Sequence, residues 1–171
     1  MKKMTVSQQK LLRVFHLVTA ALWLSCVIVL ALLPIISFPT ASGDEIYMYN
    51  LAYHFIDMFI LTPASLLTLF TGLLYSLFTK WGFFRHGWLV YKWIATLFII
   101  TTGTFYLGPM VTELLEIADT KRVAALQDQY YMQGQTIGLY AAIINSLLLV
   151  FAVLVSVYKP WKNLKNKQGT L

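Results

Sequence analysis

The chain has 171 residues, 58% of them apolar and only 12% charged, with a net charge of +6. One domain buried largely in lipid fits this composition, and the tails are too short to form a soluble module on a membrane anchor. The single Cys26 excludes a disulfide framework and a thiolate metal cluster within one chain. The basic residues sit at the ends of apolar segments, so their partner is anionic lipid and not nucleic acid.

Crossing ~30 Å of hydrocarbon takes roughly 20 apolar residues at 1.5 Å per residue. Stretches 14–43, 58–79, 93–112 and 129–158 contain no Asp, Glu, Lys or Arg. They predict helices at about 11–36, 51–79, 88–110 and 135–158, packed as an all-α four-helix transmembrane bundle in a single domain, 1–171.

On the first helix, Arg13, His16, Ala20, Trp23 and Val27 share one face at spacings of three and four. His16 then lies about one turn inside the boundary. There an imidazole can ligate haem iron, relay a proton or hydrogen-bond to another helix. The segment reads as a retained helix and not a signal peptide, since 30–37 offers no small-x-small cleavage pattern. Pro39, Ser42, Gly43 and Asp44 then predict a short external turn over 37–50.

The second helix opens among Tyr47, Tyr49 and Tyr53 and carries His54 and Asp57 three residues apart. That pair can be a ligand with its orienting carboxylate, a proton entry site, or an interfacial pair that stays in water. Pro63 interrupts the helix. Ala64, Ser65, Thr68, Thr71 and Gly72 give it a face of small residues, which permits close approach of a neighbouring helix.

A short basic loop with Lys80, Arg85 and His86 follows, and the third helix begins with Trp88 and Lys92. Lys92 either snorkels to the headgroups or offers a cation at the depth of His16 to a carboxylate such as a haem propionate. Between the third and fourth helices, Leu114, Leu115, Ile117, Ala118, Val123, Ala125 and Leu126 recur near helical period. They predict a helical external loop broken near Asp119-Thr120, read as a cap on the bundle or as a docking surface. The fourth helix carries Asn145 near mid-depth, expected to hydrogen-bond between helices.

Lys2, Lys3, Lys10 and Arg13 precede the first helix, and Lys159, Lys162, Lys165 and Lys167 follow the fourth. Asp44, Glu45, Glu113, Glu116, Asp119 and Asp128 fall in the two opposite loops, with only Lys121 and Arg122 among them. The positive-inside rule therefore predicts both termini in the cytoplasm, for a chain of a bacterial cytoplasmic membrane. Trp81, Trp88, Trp93 and Trp161 mark the inner boundary.

Glycine-rich phosphate loops and the HExxH, GxSxG and CxxC motifs are absent, so any chemistry falls to the few polar groups inside the apolar spans. Two imidazoles on one iron stand only about 4 Å apart, at roughly 2 Å per metal–nitrogen bond. His16 and His54, near opposite surfaces, cannot share a haem. His86 alone has the depth to join His16.

His16 with Trp23, Pro63 with Gly72, and Trp88 with Lys92, together with the stretches Leu61-Thr62-Pro63-Ala64 and Gly87-Trp88-Leu89-Val90-Tyr91-Lys92, resemble the HemJ-type membrane proteins and, more loosely, CopD-like membrane domains. The architecture also resembles other small bacterial four-helix membrane proteins to which no activity attaches. The HemJ-type resemblance implies haem b, porphyrin oxidation chemistry, His16 as iron ligand and Lys92 as accompanying cation.

The sequence thus gives a leading expectation of haem b or a related porphyrin held by His16, Lys92, Trp23, Arg13 and His86, with a redox role linked to membrane quinone. His54 and Asp57 form a second candidate polar site. The alternatives are an accessory or regulatory subunit that docks a membrane protein through its external loop, and proton or small-solute transport by a homo-oligomer.

Overall fold

The computed structural model describes residues 4–36, 42–79 and 82–161. Lys2, Lys3, Pro39, Lys80, Trp81, Lys162, Lys165 and Lys167 lie outside the described residues. Everything described is helix or short connection, with no strand among the described residues.

The first helix, α1 (Val6–Ile36), runs the full height of the bundle. Helix α2 (Gly43–Phe55) passes through a π-helical turn, Ile56–Leu61, into α3 (Thr62–Phe78). In the same way α4 (Gly87–Thr102) passes through a π turn, Gly103–Leu107, into α5 (Gly108–Lys121), and a 3-10 segment, Arg122–Gln127, leads to α6 (Gln129–Tyr158). Four continuous helical rods result: Val6–Ile35, Gly43–Phe78, Gly87–Gln127 and Gln129–Tyr158, each long and apolar enough to cross a membrane.

Both π turns stop just before a proline, in Leu61-Thr62-Pro63 and Leu107-Gly108-Pro109. Proline brings no N–H, and its ring clashes with the carbonyl four residues back. The preceding turn widens instead of breaking. Thr62 N–H therefore bonds to the Asp57 carbonyl, and Gly108 N–H to the Gly103 carbonyl, each five residues back.

Two expectations need correction. The external turn over 37–50 is shorter than predicted, because Ser42 and Glu45 form a capping box that starts α2 at Gly43. The Ser42 hydroxyl accepts from Glu45 N–H at 3.3 Å and the Glu45 carboxylate accepts from Ser42 N–H at 2.7 Å, so these turn formers begin a helix. The break expected near Asp119-Thr120 comes later. Thr120 stays in the helix by donating its hydroxyl to the Glu116 carbonyl, and Arg122, with φ at 51°, ends α5.

The end that carries the 3-10 segment is closely packed. Ile46, Met110, Leu114, Ala118, Ala125 and Tyr131 form one buried cluster that joins α2, α5, the 3-10 segment and α6. A Cβ added at Gly43 would sit 2.8 Å from Arg122 Cβ, and one at Gly134 would sit 2.8 Å from a Leu114 methyl. Arg122 bridges Asp119 and Asp44 and lies over the Tyr47 ring. The helical loop is thus a cap closed on the bundle.

At the other end the helices are arranged in the order α3, α1, α6, α4, with α1 lying against α3 and α6, and α4 against α6. Contact between α3 and α4 is sparse. The bundle is therefore loose along one edge. Its outward faces remain apolar, with Phe59 67%, Ile94 65% and Leu147 64% exposed.

Candidate functional site

Sparse α3–α4 packing leaves a cleft of about 450 Å³ between α1, α3, α4 and α6. Arg13, His16 and Trp23 reach it from α1, and Lys92 enters from α4. Four of the five residues predicted for one site therefore border one cavity. His86 does not. It occupies the N-cap of α4, its ring stacked on Trp88 at 6.0 Å, while Trp88 itself lines the cleft.

Hydrogen bonding orients the His16 imidazole. Its Nδ1 lies 2.8 Å from Thr71 Oγ1, and that hydroxyl directs its own hydrogen to the carbonyls of Leu67 (2.8 Å) and Thr68 (3.0 Å). Thr71 can only accept from His16, which assigns the ring proton to Nδ1. In that tautomer Nε2 keeps its lone pair, and Thr71 Oγ1 is the side-chain partner of the ring among the described residues. Gly72 passes beside the ring, where an added Cβ would make ordinary contact with His16 Cε1 at 3.7 Å. The Tyr75 ring stands edge-on at 6.1 Å, anchored by its hydroxyl donating to the Gln9 carbonyl.

The charge in the cleft is of one sign. Arg13, Lys92 and Lys159 line it and no acidic residue does. Described ion pairs are confined to Lys121–Asp128, Arg122–Asp44 and Arg122–Asp119, all at the far end. The remaining wall is aromatic and aliphatic, built from Trp23, Trp88, Trp93, Leu149 and small residues such as Ala20, Gly72 and Ala152. Such a chamber suits a flat apolar body that carries carboxylates.

Haem b can be tested against these residues. One ligand nitrogen is correctly prepared, its other ring nitrogen bound to a hydroxyl, and the cations lie at the same end. Among the described residues no second histidine, cysteine or methionine lines the cleft, and no three His, Cys, Asp or Glu side chains gather as a metal site. A haem there would have His16 as its one imidazole ligand.

His54 and Asp57 part company. His54 Nε2 faces Thr112 Oγ1 at 3.4 Å, toward the cap. The π turn begins between them, at Ile56, and Asp57 borders a second, smaller cavity of about 60 Å³. Trp23 borders both cavities and is 1% exposed, and its Nε1 has no hydrogen-bond partner.

Sequence reasoning gave Thr71 to helix packing, missing its role as the partner of His16. It placed Lys159 only among the charges that mark a boundary. A hydroxyl within the small-residue face of α3 was the available signal for Thr71, whereas Lys159 needed knowledge of how α6 returns to α1. Comparison of the chain with protein-family models, with curated proteins and with solved structures returns no match.

Proposed function

We propose that this chain is an integral membrane protein, with both termini in the cytoplasm, that binds haem b or a related porphyrin carboxylate in the cleft beside His16. Outward apolar faces on four rods of sufficient length support the membrane setting. Lys10, Arg13, Arg85 and Lys159 at one end, against Asp44, Glu45, Glu113, Glu116 and Asp119 at the other, support the orientation.

The observation that carries the ligand is the His16 imidazole, held by Thr71 through Nδ1, in an aromatic chamber lined by three cations and, among the described residues, no acid. The HemJ-type resemblance points the same way. His16 would hold the iron, and Thr71 would fix its ring. Arg13, Lys92 and Lys159 would take the propionates, and Trp23 and Trp88 would exclude water from the apolar face. Bound haem would supply one-electron chemistry, and we assign it exchange with membrane quinone.

An absorption spectrum tests the reading. Protein purified from haem-replete cells, or mixed with haemin, should show a Soret band typical of five-coordinate haem, and His16→Ala should abolish it. A purified, folded protein with no Soret band under either condition would overturn the proposal.

A further inference from the structure

The smaller cavity lies where the two π turns meet. Asp57 comes from the first and Gly103 and Thr104 from the second, while Thr62 and Ser65 open α3 and Asn145 faces them from α6. π-helical turns inside α-helices often mark functional positions, because they re-aim side chains and loosen the backbone ladder.

The polar groups here are unusually idle. Asn145 is 9% exposed, and neither its amide nor the Asp57 carboxylate has a hydrogen-bond or ion-pair partner among the described residues. The Tyr53 hydroxyl borders the same space, held against Gly138, where an added Cβ would lie 3.5 Å from it. The Ser65 hydroxyl donates to the Thr62 carbonyl at 2.8 Å, which leaves its oxygen lone pairs for another group.

These groups open onto one cavity and stay accessible there: among the described residues only Trp23 Nε1 is a fully buried side-chain polar atom without a partner. Room is not lacking. A void of about 60 Å³ exceeds the ≳10–15 Å³ that one water needs. The charge narrows the choice. No Lys, Arg or His lines this cavity, and Tyr53 is the one other titratable residue that does. Asp57 is only partly buried, yet a carboxylate between apolar walls with no counter-charge among the described lining residues favours a positive partner. All the available donors are hard oxygens, which select neither a soft metal nor an anion.

We propose that the Asp57 cavity binds one sodium ion, coordinated by the Asp57 carboxylate, the Asn145 side-chain carbonyl and the Ser65 and Thr62 hydroxyls. This site is independent of the porphyrin cleft. It lies on the other side of Trp23 and shares no charged residue with it.

Thermal unfolding of the purified full chain in detergent, without haem, tests the site. Sodium chloride is titrated against choline chloride at constant ionic strength and alkaline pH, and pH is then varied in choline. For a sodium site the midpoint temperature rises saturably with sodium and not with choline, and Asp57→Asn removes that rise. A midpoint that does not respond to sodium but rises on acidification, with that rise lost in Asp57→Asn, would show only protonation of the carboxyl and would overturn the proposal. Identical responses of wild type and Asp57→Asn to sodium would overturn it too. Should Asp57→Asn fail to fold, Asn145→Ala keeps the carboxylate and removes one ligand. It should weaken the apparent affinity for sodium roughly tenfold, the loss of one bond to a charged group. An unchanged affinity there would equally count against the site.

Discussion

The capped end of this bundle and the end that holds the cleft are built to opposite specifications. At the capped end polar groups find each other. Asn50 Nδ2 donates to both the Ile46 carbonyl and the Tyr131 hydroxyl at 2.8 Å, and Gln135 Nε2 donates to Asn50 Oδ1 at 2.8 Å. At the cleft end, His16, Arg13 and Lys92 face a space of about 450 Å³ with no acidic side chain among its described lining residues. The contrast teaches where order is generated and where it is spent on function. A satisfied, close-packed cap fixes the helix positions, so the other end can stay open without collapsing.

Breaking the cap should therefore have the largest effect on stability. Tyr131 is 1% exposed, and Tyr131→Ala should cost about 3–5 kcal/mol, the range for removing a large buried ring. Denaturant unfolding in detergent would measure it. A cost below about 1 kcal/mol would mean that the cap does not hold the bundle. Ser42→Ala removes the capping box at the start of α2 and should cost about 1 kcal/mol by the same assay.

The cleft end should respond in the reverse sense. Ala20 lines the cleft, and Ala20→Leu adds bulk where space exists, so stability should move by no more than about 0.5 kcal/mol. Porphyrin binding should fall sharply, as read by haemin titration. A large loss of stability with binding intact would erase the distinction between the two ends.

The smallest effect belongs to acid pH. Asp128, at the N-cap of α6, is held below the ordinary carboxylate range, first by its hydrogen bond from Lys121 and then by that from Tyr131 N–H. A carboxyl depressed in this way contributes stability above its unfolded value, about 4, and the contribution is lost as pH falls through the lower folded value. The difference in midpoint temperature between wild type and Lys121→Ala should thus shrink as pH drops below about 4. Persistence of the full difference in strong acid would show that the pair contributes nothing.

The four rods were legible in the sequence, because length and uninterrupted apolarity are local properties of the chain. So was the alignment of Arg13, His16 and Trp23, which follows from helical period alone. The start of α2 was legible too, yet Ser42-Gly43-Asp44-Glu45 carries both turn and capping signals, and only the pairing of Ser42 with Glu45 decides between them. Less could be known of Asp57. Its parting from His54 depends on a π turn that Pro63 induces upstream, and its company with Asn145 depends on how α6 lies against the other helices. Long-range assembly of that kind leaves no periodic trace.

Trp23 separates the two chambers, with one indole forming a wall of each. It is therefore a natural optical gauge. In a variant with the remaining tryptophans changed to phenylalanine, quenching by a porphyrin on one side and a shift in emission from a filled void on the other would be read from a single fluorophore, without any label.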